Sequence, residues 1–555
     1  MFVPFLVFCV PAPVLPPAAV SFVEQESLDA LIARGRALLD AGKTDEALPL
    51  FEDAAKRDGD QFRTRVWVLR TQIALGQVED ALAAADQAQA AGAKGPDVDY
   101  VMGVGLVELA KQAVAGGNPG GFVGQQFADA VTFLERATAA NGERYRDAFL
   151  PLAEAAWFAP DLPRARKAVE RAVTVAPKSA DALTLRGRIA MSQFVAAQAD
   201  EKTKAEADAH WTVAVESLER ALAELAGRDD LGSRAKRADA AKELGNAQLW
   251  KQAKDKASLA YTTAIVASPS TVDYLAAYQA LGADELLAVL EAAKTAFVAH
   301  PDDAWGEATL LWWLGWTRFD RKKYPEAEEA FRATLAKNPE FVNSWFYVYK
   351  ACYSQQKYPE GIAALRTFSE ADPNGLTAAI AAAKEMTLAE IEFLVGWCAN
   401  PDKHQGEALN LDAALLCEIC TRVSPEVGRH WNNLGLFLRD HADTLKRTTR
   451  DTPHETLVGF WERALAAYET ALSIAPENPN YLNDTAVILH YNLERDFERA
   501  LELYAKAFAC AEKELARTDL SPDDRAAIEL ARRDSKNNLA LLKKQLERKG
   551  GDGKQ

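Results

Sequence analysis

Four residues between positions 398 and 420 are of the types that bind metal ions. Cys417 and Cys420 are separated by two residues, and Cys398 and His404 lie upstream of them. Such a set could hold zinc in a tetrahedral site. The alternative is that the cysteines fill apolar positions in a helical core, where free Cys is common. Counted back from Pro425, Cys417 takes a large interior position and Cys420 a small one. This spacing favours the core, so we predict no metal site.

A second group, Gly42-Lys43-Thr44, matches the end of a phosphate-binding loop. Ala37 stands where such a loop has its first Gly, and no strand precedes it, so a nucleotide site is not supported. The chain has no Gly-x-Ser-x-Gly, His-Glu-x-x-His or dinucleotide-binding motif, and its seven histidines are scattered. Its six cysteines do not form a disulfide framework. We therefore predict no catalytic residue, no cofactor and no enzymatic activity.

The strongest regularity is a block of sequence that recurs after 34 residues. Lys323-Tyr324-Pro325-Glu326 returns as Lys357-Tyr358-Pro359-Glu360, and Pro339 returns as Pro373. A fixed period of this length indicates stacked copies of one small unit. Each unit buries its apolar face only against its neighbours, so function is expected on an extended surface and not in one enclosed pocket.

One unit spans residues 308–341 and contains two helical patterns separated by the polar stretch 320–323. Apolar and small residues recur at spacings of three and four on each helix. They are Leu311, Leu314 and Gly315 with Arg318 on the first helix, and Tyr324, Ala327, Phe331 and Thr334 on the second. This pattern resembles the tetratricopeptide repeat, which has a Leu-Gly pair, two aromatics, two Ala residues and a closing Pro.

The resemblance extends over most of the chain, with roughly twelve copies. Clear copies contain Gly35 with Phe51, Leu244-Gly245 with Tyr261, and Leu434-Gly435 with Tyr468. Between 272 and 301, and between 376 and 427, the register of the repeats stays open. The resemblance implies an all-α protein, a right-handed superhelical solenoid of antiparallel helix pairs.

We divide the chain where this pattern changes. The ranges are 1–21 (signal peptide or disordered leader), 22–145 (N-terminal repeats with a Gly-rich insertion), 146–375 (central repeats), 376–515 (C-terminal repeats with insertions), 516–548 (capping helices) and 549–555 (disordered tail). The insertions fall at 116–124, about 193–209, and 440–459. We expect the first to be a flexible loop and the other two to lengthen a pair of helices.

The leader is apolar from Met1 to Val10 and then rich in Pro. Its apolar run is too short to span a bilayer, so we expect no stable membrane insertion. Small residues at Ala19 and Ser21 would suit cleavage of a secretory signal, but no Lys or Arg precedes the apolar run. Localisation therefore stays open between export, to the periplasm or outside the cell, and the cytoplasm.

The formal net charge is −16, from 64 basic and 80 acidic residues. This balance argues against broad nucleic-acid binding. We expect the partners to be protein or peptide segments, and the sequence leaves the oligomeric state open.

In the family that the chain resembles, the first helix of each pair lines a concave groove. The corresponding positions that do not face the core hold Trp312, Trp316 and Phe319 in one repeat, and Asn343, Phe346, Lys350 and Tyr353 in the next. Aromatic anchors beside polar groups suit peptide binding. The alternative is that these aromatics only pack against neighbouring helices.

Near the N-terminus the same positions hold Arg36, Arg63 and Arg70. We expect them to form a basic stripe that holds carboxylates. The favoured function is a non-catalytic scaffold that binds segments in its groove. The alternatives are an architectural subunit that uses convex faces and edges, and an enzyme with a site embedded in the repeats.

Overall fold

The computed structural model describes residues 26–117, 120, 122–383, 385–449 and 451–552. These residues form 26 α-helices and no strand, in two compact units. Unit 1 ends at Ala267 and unit 2 begins at Ser268. No helix of the described residues is long and apolar enough to cross a membrane. The predicted leader 1–21 lies outside the described residues.

Unit 1 contains twelve α-helices, most of them 13 to 20 residues long. They are α1 (Leu28–Asp40), α2 (Thr44–Arg57), α3 (Phe62–Ala74), α4 (Val78–Ala90), α5 (Pro96–Ala115), α6 (Val123–Asn141), α7 (Phe149–Phe158), α8 (Leu162–Val175), α9 (Ala180–Ala199), α10 (Ala207–Glu224), α11 (Leu231–Trp250) and α12 (Lys254–Ala267). Short 3-10 turns at Arg146–Ala148 and Lys204–Glu206 precede α7 and α10.

Unit 2 contains the other fourteen α-helices. They are α13 (Tyr274–Leu281), α14 (Ala283–Ala296), α15 (Gly306–Asp320), α16 (Tyr324–Lys337), α17 (Ser344–Ser354), α18 (Tyr358–Ala371), α19 (Pro373–Ala382), α20 (Glu385–Ala399), α21 (Asn410–Val423), α22 (Gly428–Thr448), α23 (His454–Ile474), α24 (Pro479–Val487), α25 (Phe497–Leu515) and α26 (Pro522–Asp552). Pro269–Thr271 and Pro401–Lys403 are 3-10 turns, and α24 continues into a π-helical turn at Ile488–Asn492.

Consecutive helices contact each other as pairs, six in unit 1 and six in unit 2. Short connections between contacting helices make antiparallel neighbours. The two remaining helices are α19, which lies between two pairs in the chain, and the terminal α26. The all-α solenoid architecture predicted from the 34-residue period is therefore confirmed for each unit.

The recurring Lys-Tyr-Pro-Glu block begins the second helix of two successive pairs. Pro325 and Pro359 lie in the first turns of α16 and α18, where the missing N–H of proline has no helical partner to lose. The preceding turns match as well, since Lys322 and Gln356 both adopt a left-handed φ, of 60° and 59°. Sequence identity at this spacing thus reflects identical local structure.

In four of the pairs, a Gly of the first helix faces an aromatic ring of the second. A Cβ added at Gly315 would lie 3.0 Å from Phe331, and one added at Gly435 would lie 2.6 Å from the ring of Tyr468. The same contact joins Gly35 to Phe51 and Gly245 to Tyr261, each at 2.7 Å. Real Cβ atoms essentially never lie closer than 3.0 Å to a heavy atom of a non-neighbouring residue and rarely lie at that distance, so glycine is what allows the two helices to meet over the ring.

The insertions behave largely as predicted. Residues 193–209 lengthen α9 and α10, and residues 440–459 lengthen α22 and α23, which are 21 residues each. The Gly-rich insertion includes residues 118, 119 and 121, which lie outside the described residues. The last helix continues to Asp552, past the start of the predicted tail at Lys549. The division of the chain at residues 145 and 375 stays a prediction.

Candidate interaction surfaces

Unit 2 carries an aromatic strip along the first helices of three pairs. We define it as Trp316 and Phe319 of α15, Tyr347 and Tyr353 of α17, and Phe393 of α20. The first four are half-buried, whereas Phe393 is 50% exposed. Ring centroids connect the strip across helices, at 6.2 Å between Phe319 and Tyr347 and 6.2 Å between Tyr353 and Phe393. The strip therefore consists of two ring clusters, Trp316, Phe319 and Tyr347 in one and Tyr353 and Phe393 in the other, and not of isolated side chains.

Phe393 borders the most open part of the strip. Gly396, one turn further along α20, has no atom within 4 Å of the position where a Cβ would lie. Tyr353 and Tyr358 flank Phe393 on the other side, with ring centroids 6.2 Å and 5.6 Å away. An apolar side chain placed over Gly396 would therefore meet an exposed ring without displacing any group of the protein.

Two of the predicted anchor residues, Phe346 and Trp312, pack against other side chains of unit 2 instead of lying on its open surface. Phe346 is only 7% exposed and belongs to the apolar core of unit 2. Trp312 packs edge-on against Phe331 and Tyr347, with centroids 6.3 Å and 5.5 Å away, and its indole N–H is buried without a partner in the described residues. The packing alternative describes these two residues well, because both fill space between helices.

The two predicted polar residues of the same stretch also differ in accessibility: Lys350 is paired within the chain, whereas Asn343 is exposed. Lys350 donates to both carboxylate oxygens of Glu390, at 2.9 Å and 2.6 Å, and both side chains are 18% exposed. This ammonium already has an anion, so a ligand carboxylate would have to compete with Glu390. Asn343 is exposed, and its side chain makes no capping bond at the start of α17.

Unit 1 has a different surface at the predicted arginine stripe. Arg70 of α3 donates to Asp147 at 3.1 Å, and Tyr100 of α5 donates to the same carboxylate at 2.6 Å. Burial alone would lower the pKa of Arg70, but its interactions with Tyr100 and Asp147 together outweigh burial, and the pKa stands above its ordinary value. Arg70 therefore already has a carboxylate partner, which the chain itself supplies.

The other two arginines also have partners within unit 1. Arg63 forms a two-atom contact with Asp58, at 2.6 Å and 2.9 Å, which together with a bond from Thr64 lowers the pKa of Asp58 to about 2. The guanidinium of Arg36 lies 4.6 Å from the ring centroid of Trp67, in a cation–π contact. Each cation of the stripe is thus engaged.

The cysteines at the end of α20 and in α21 lie in the core of unit 2, as predicted. Cys417 and Cys420 are 2% and 1% exposed, and Cys398 is fully buried. Burial raises the pKa of Cys398 and of Cys420 to about 12. His404, the fourth ligand of the metal alternative, forms a hydrogen bond from its Nε2 to the Trp397 carbonyl at 2.8 Å. In the described residues no group of three or more His, Cys, Asp or Glu could hold a metal ion.

A polar cavity of about 440 Å³ lies between α22 and the end of α24. Its walls are Arg439, Asp440, Asp443, Lys446, Val487, Tyr491 and Asn492. Arg439 pairs with Asp440 at 2.7 Å, and Asp443 accepts from Asn492 at 2.7 Å. Its acidic and basic groups largely satisfy one another, and the lining indicates no class of ligand.

Models of the tetratricopeptide repeat match residues 38–103, 150–200 and 308–375. Among solved structures, the chain is similar to TTC0263, a thermophilic TPR protein of Thermus thermophilus, with 21% identity, 39% of this chain and 98% of that chain covered, and a TM-score of 0.27. It is also similar to the APC/C hetero-tetramer Cut9-Hcn1 (13% identity, 91% and 96% covered, TM-score 0.27). A third is yeast Tom70 (13% identity, 94% and 99% covered, TM-score 0.20). No curated protein matches the chain.

Proposed function

We propose that this chain of tetratricopeptide-type repeats is a scaffold without catalytic activity, which binds an extended segment of a partner protein along the aromatic strip of unit 2. Repeats of this kind present long surfaces that suit extended ligands. The observation that carries the proposal is Phe393, half exposed beside the open space over Gly396.

The chemistry of the strip favours an apolar anchor in the partner. Tyr and Phe rings bury a large area while losing little side-chain entropy, which is why such residues dominate the energetics of interfaces. Trp316, Tyr353 and Phe393 would contact the anchor, and Asn343 would hydrogen-bond the backbone of the bound segment. Lys350 would contribute only by exchanging Glu390 for a ligand carboxylate, and Phe346 and Trp312 support the strip from beneath.

The proposal can be tested by selecting ligands from a displayed library of random 12-residue peptides on the full chain. Peptides that are enriched should carry an aromatic or aliphatic anchor, and Phe393→Ala should weaken their binding by roughly 1–3 kcal/mol. The matched control is Leu259→Ala, because Leu259 is 69% exposed on α12 of unit 1 and lies off the strip. Equal losses for both variants, or no enriched peptide, would contradict the proposal.

The architectural alternative is favoured by two apolar residues of unit 1. Leu259 is 69% exposed on a second helix of its pair, and Trp250 is 55% exposed at the end of α11. Large exposed apolar residues often belong to interfaces. If the chain acts through this face, a Leu259→Glu variant should lose its partners in native cells while Phe393→Ala keeps them.

A further inference from the structure

The connection between α6 and α7 contacts all three preceding first helices of unit 1. We call residues 143–147 the return segment. Arg36 of α1 donates to the Glu143 carbonyl at 3.5 Å, and Arg146 pairs with Asp40 at the end of α1 at 2.5 Å. These contacts join positions that are 107 and 106 residues apart in the chain.

The centre of the return segment reaches α3 and α5. Arg144 donates to the Arg63 carbonyl at 2.5 Å and to Asp97 at 2.9 Å. Tyr145 donates to Asp97 at 2.7 Å and is only 1% exposed. The segment therefore places a buried aromatic ring on the first-helix surface, as a bound peptide would.

The end of the return segment supplies the carboxylate. Asp147 accepts from Arg70 and Tyr100. The rings of Tyr145 and Tyr100 lie 4.9 Å apart, so the aromatic and the carboxylate of the segment meet the same receiving residue. In this segment the aromatic ring and the carboxylate that contact the surface are two residues apart.

The fit leaves two polar atoms without partners. The second carboxylate oxygen of Asp147 and the indole N–H of Trp67 are buried, and neither has a hydrogen-bond partner among the described residues. Buried polar groups are normally satisfied, and leaving one unpaired is unfavourable. The return segment is therefore an incomplete ligand, which a segment with better-placed donors and acceptors could exceed.

We propose that the first-helix surface of unit 1, made by Arg36, Trp67, Arg70 and Tyr100, is a second peptide-binding site that the return segment occupies in cis. Its partner is an exposed protein segment with an aromatic residue two positions before a carboxylate. That partner gains access by displacing residues 143–147. This site is separate from the aromatic strip of unit 2, and it does not rest on the function proposed for that strip.

The test uses the full chain and a fluorescein-labelled synthetic peptide of residues 141–149. A tethered segment competes at an effective concentration of about millimolar, so the wild-type chain should bind the peptide weakly. Asp147→Ala removes the carboxylate of the tethered segment, and we expect this variant to bind the peptide at least about tenfold more tightly. Adding Arg70→Ala, or replacing Asp by Asn in the peptide, should abolish that gain.

The matched control is Arg164→Ala, which removes an exposed arginine paired with Asp161 and Glu135, away from the return segment. If Asp147→Ala does not fold, Arg146→Ala provides a milder release, since its pair with Asp40 is about half exposed.

Hydrogen exchange of the wild-type chain gives a second measurement. Amides of residues 143–148 should exchange well before those of α3 and α5. Equal protection, or no peptide binding by any folded release variant, would overturn the proposal and make the segment a fixed part of the fold.

Discussion

The first-helix surfaces of both units carry aromatic rings, such as Trp67 in unit 1 and Phe393 in unit 2, but present them differently. In unit 1, Arg70 and Trp67 are covered by the chain itself, and the arginine is paired with Asp147. In unit 2, the corresponding surface leaves Phe393 half exposed, with open space beside it. Residue type at a repeat position therefore does not decide whether that position is available. The length and path of the connection between helix pairs decide whether the position is available.

The largest expected effect is a difference in stability between the loss of a buried residue beneath the unit 2 strip and the loss of a residue on its surface. Phe346→Ala should reduce the free energy of unfolding by about 3–5 kcal/mol, because its ring is buried in the core. Phe393→Ala should reduce it by less than about 1 kcal/mol, because half of its ring faces solvent. Denaturant titration of both variants measures the difference. Equal losses would mean that Phe393 belongs to the core.

The next effect concerns the covered surface of unit 1. Asp147→Ala leaves the mostly buried Arg70 without its carboxylate, and we expect a loss of about 3 kcal/mol. The exposed pair of Arg164 with Asp161 serves as the comparison, and its removal should change stability by at most about 1 kcal/mol. Denaturant titration of both variants provides the measurement. A loss below about 1 kcal/mol for Asp147→Ala would show that the return segment is held by its tether and not by this charge pair.

A smaller effect tests the interior behind the unit 2 strip. Cys417→Ala should lose roughly 1–3 kcal/mol through packing, and Cys420→Ala should lose less because it occupies a small position. Since burial raises the pKa of Cys420 to about 12, its thiol should resist alkylation of the native protein at about pH 8. Mass spectrometry of the alkylated chain measures this. Rapid labelling of Cys420 would place it at an accessible surface.

The smallest effect is a difference in pH dependence. The pKa of Asp58 in unit 1 is lowered to about 2, so its contribution to stability is present above its unfolded value and is lost as pH falls towards 2. Burial raises the pKa of Asp484 in unit 2, so its ionisation opposes folding and stability falls as pH rises through the folded pKa. Asp58→Asn and Asp484→Asn should each flatten one of these trends when melting temperature is followed from about pH 2 to pH 8. Identical profiles for both variants would contradict the assignment.

The repeat architecture could be predicted because its signals are local. The proline at the start of α16 and α18 and the glycine opposite each aromatic ring act within one helix pair, so a single period contains them. The place of Phe393 could not be predicted. It follows the extra helix α19, and a long connection from residue 400 to 409 separates α20 from α21, so the 34-residue count fails there.

The contacts that cover the arginine stripe could not be predicted from the sequence, for a related reason. Arg36 and Arg70 lie on the first helices of two pairs, and nothing near them in the sequence signals a partner. Their contacts with the return segment join residues 107 and 77 positions apart, on a connection whose path depends on where α6 ends. Periodicity gives the helix that carries a residue, but it does not give the loop that lies over it.

The contact between Gly and an aromatic ring, found inside four of the pairs, has a consequence for how such a chain can diverge. A side chain added at Gly315 would require the ring of Phe331 to shift or to be replaced by a smaller residue, and both positions lie in the same repeat. A substitution that compensates for the loss of the glycine is therefore needed only within the same repeat and not in the next one. Each repeat can change on its own while its neighbours keep their geometry. Adjacent stretches of one surface are thereby free to acquire different ligands.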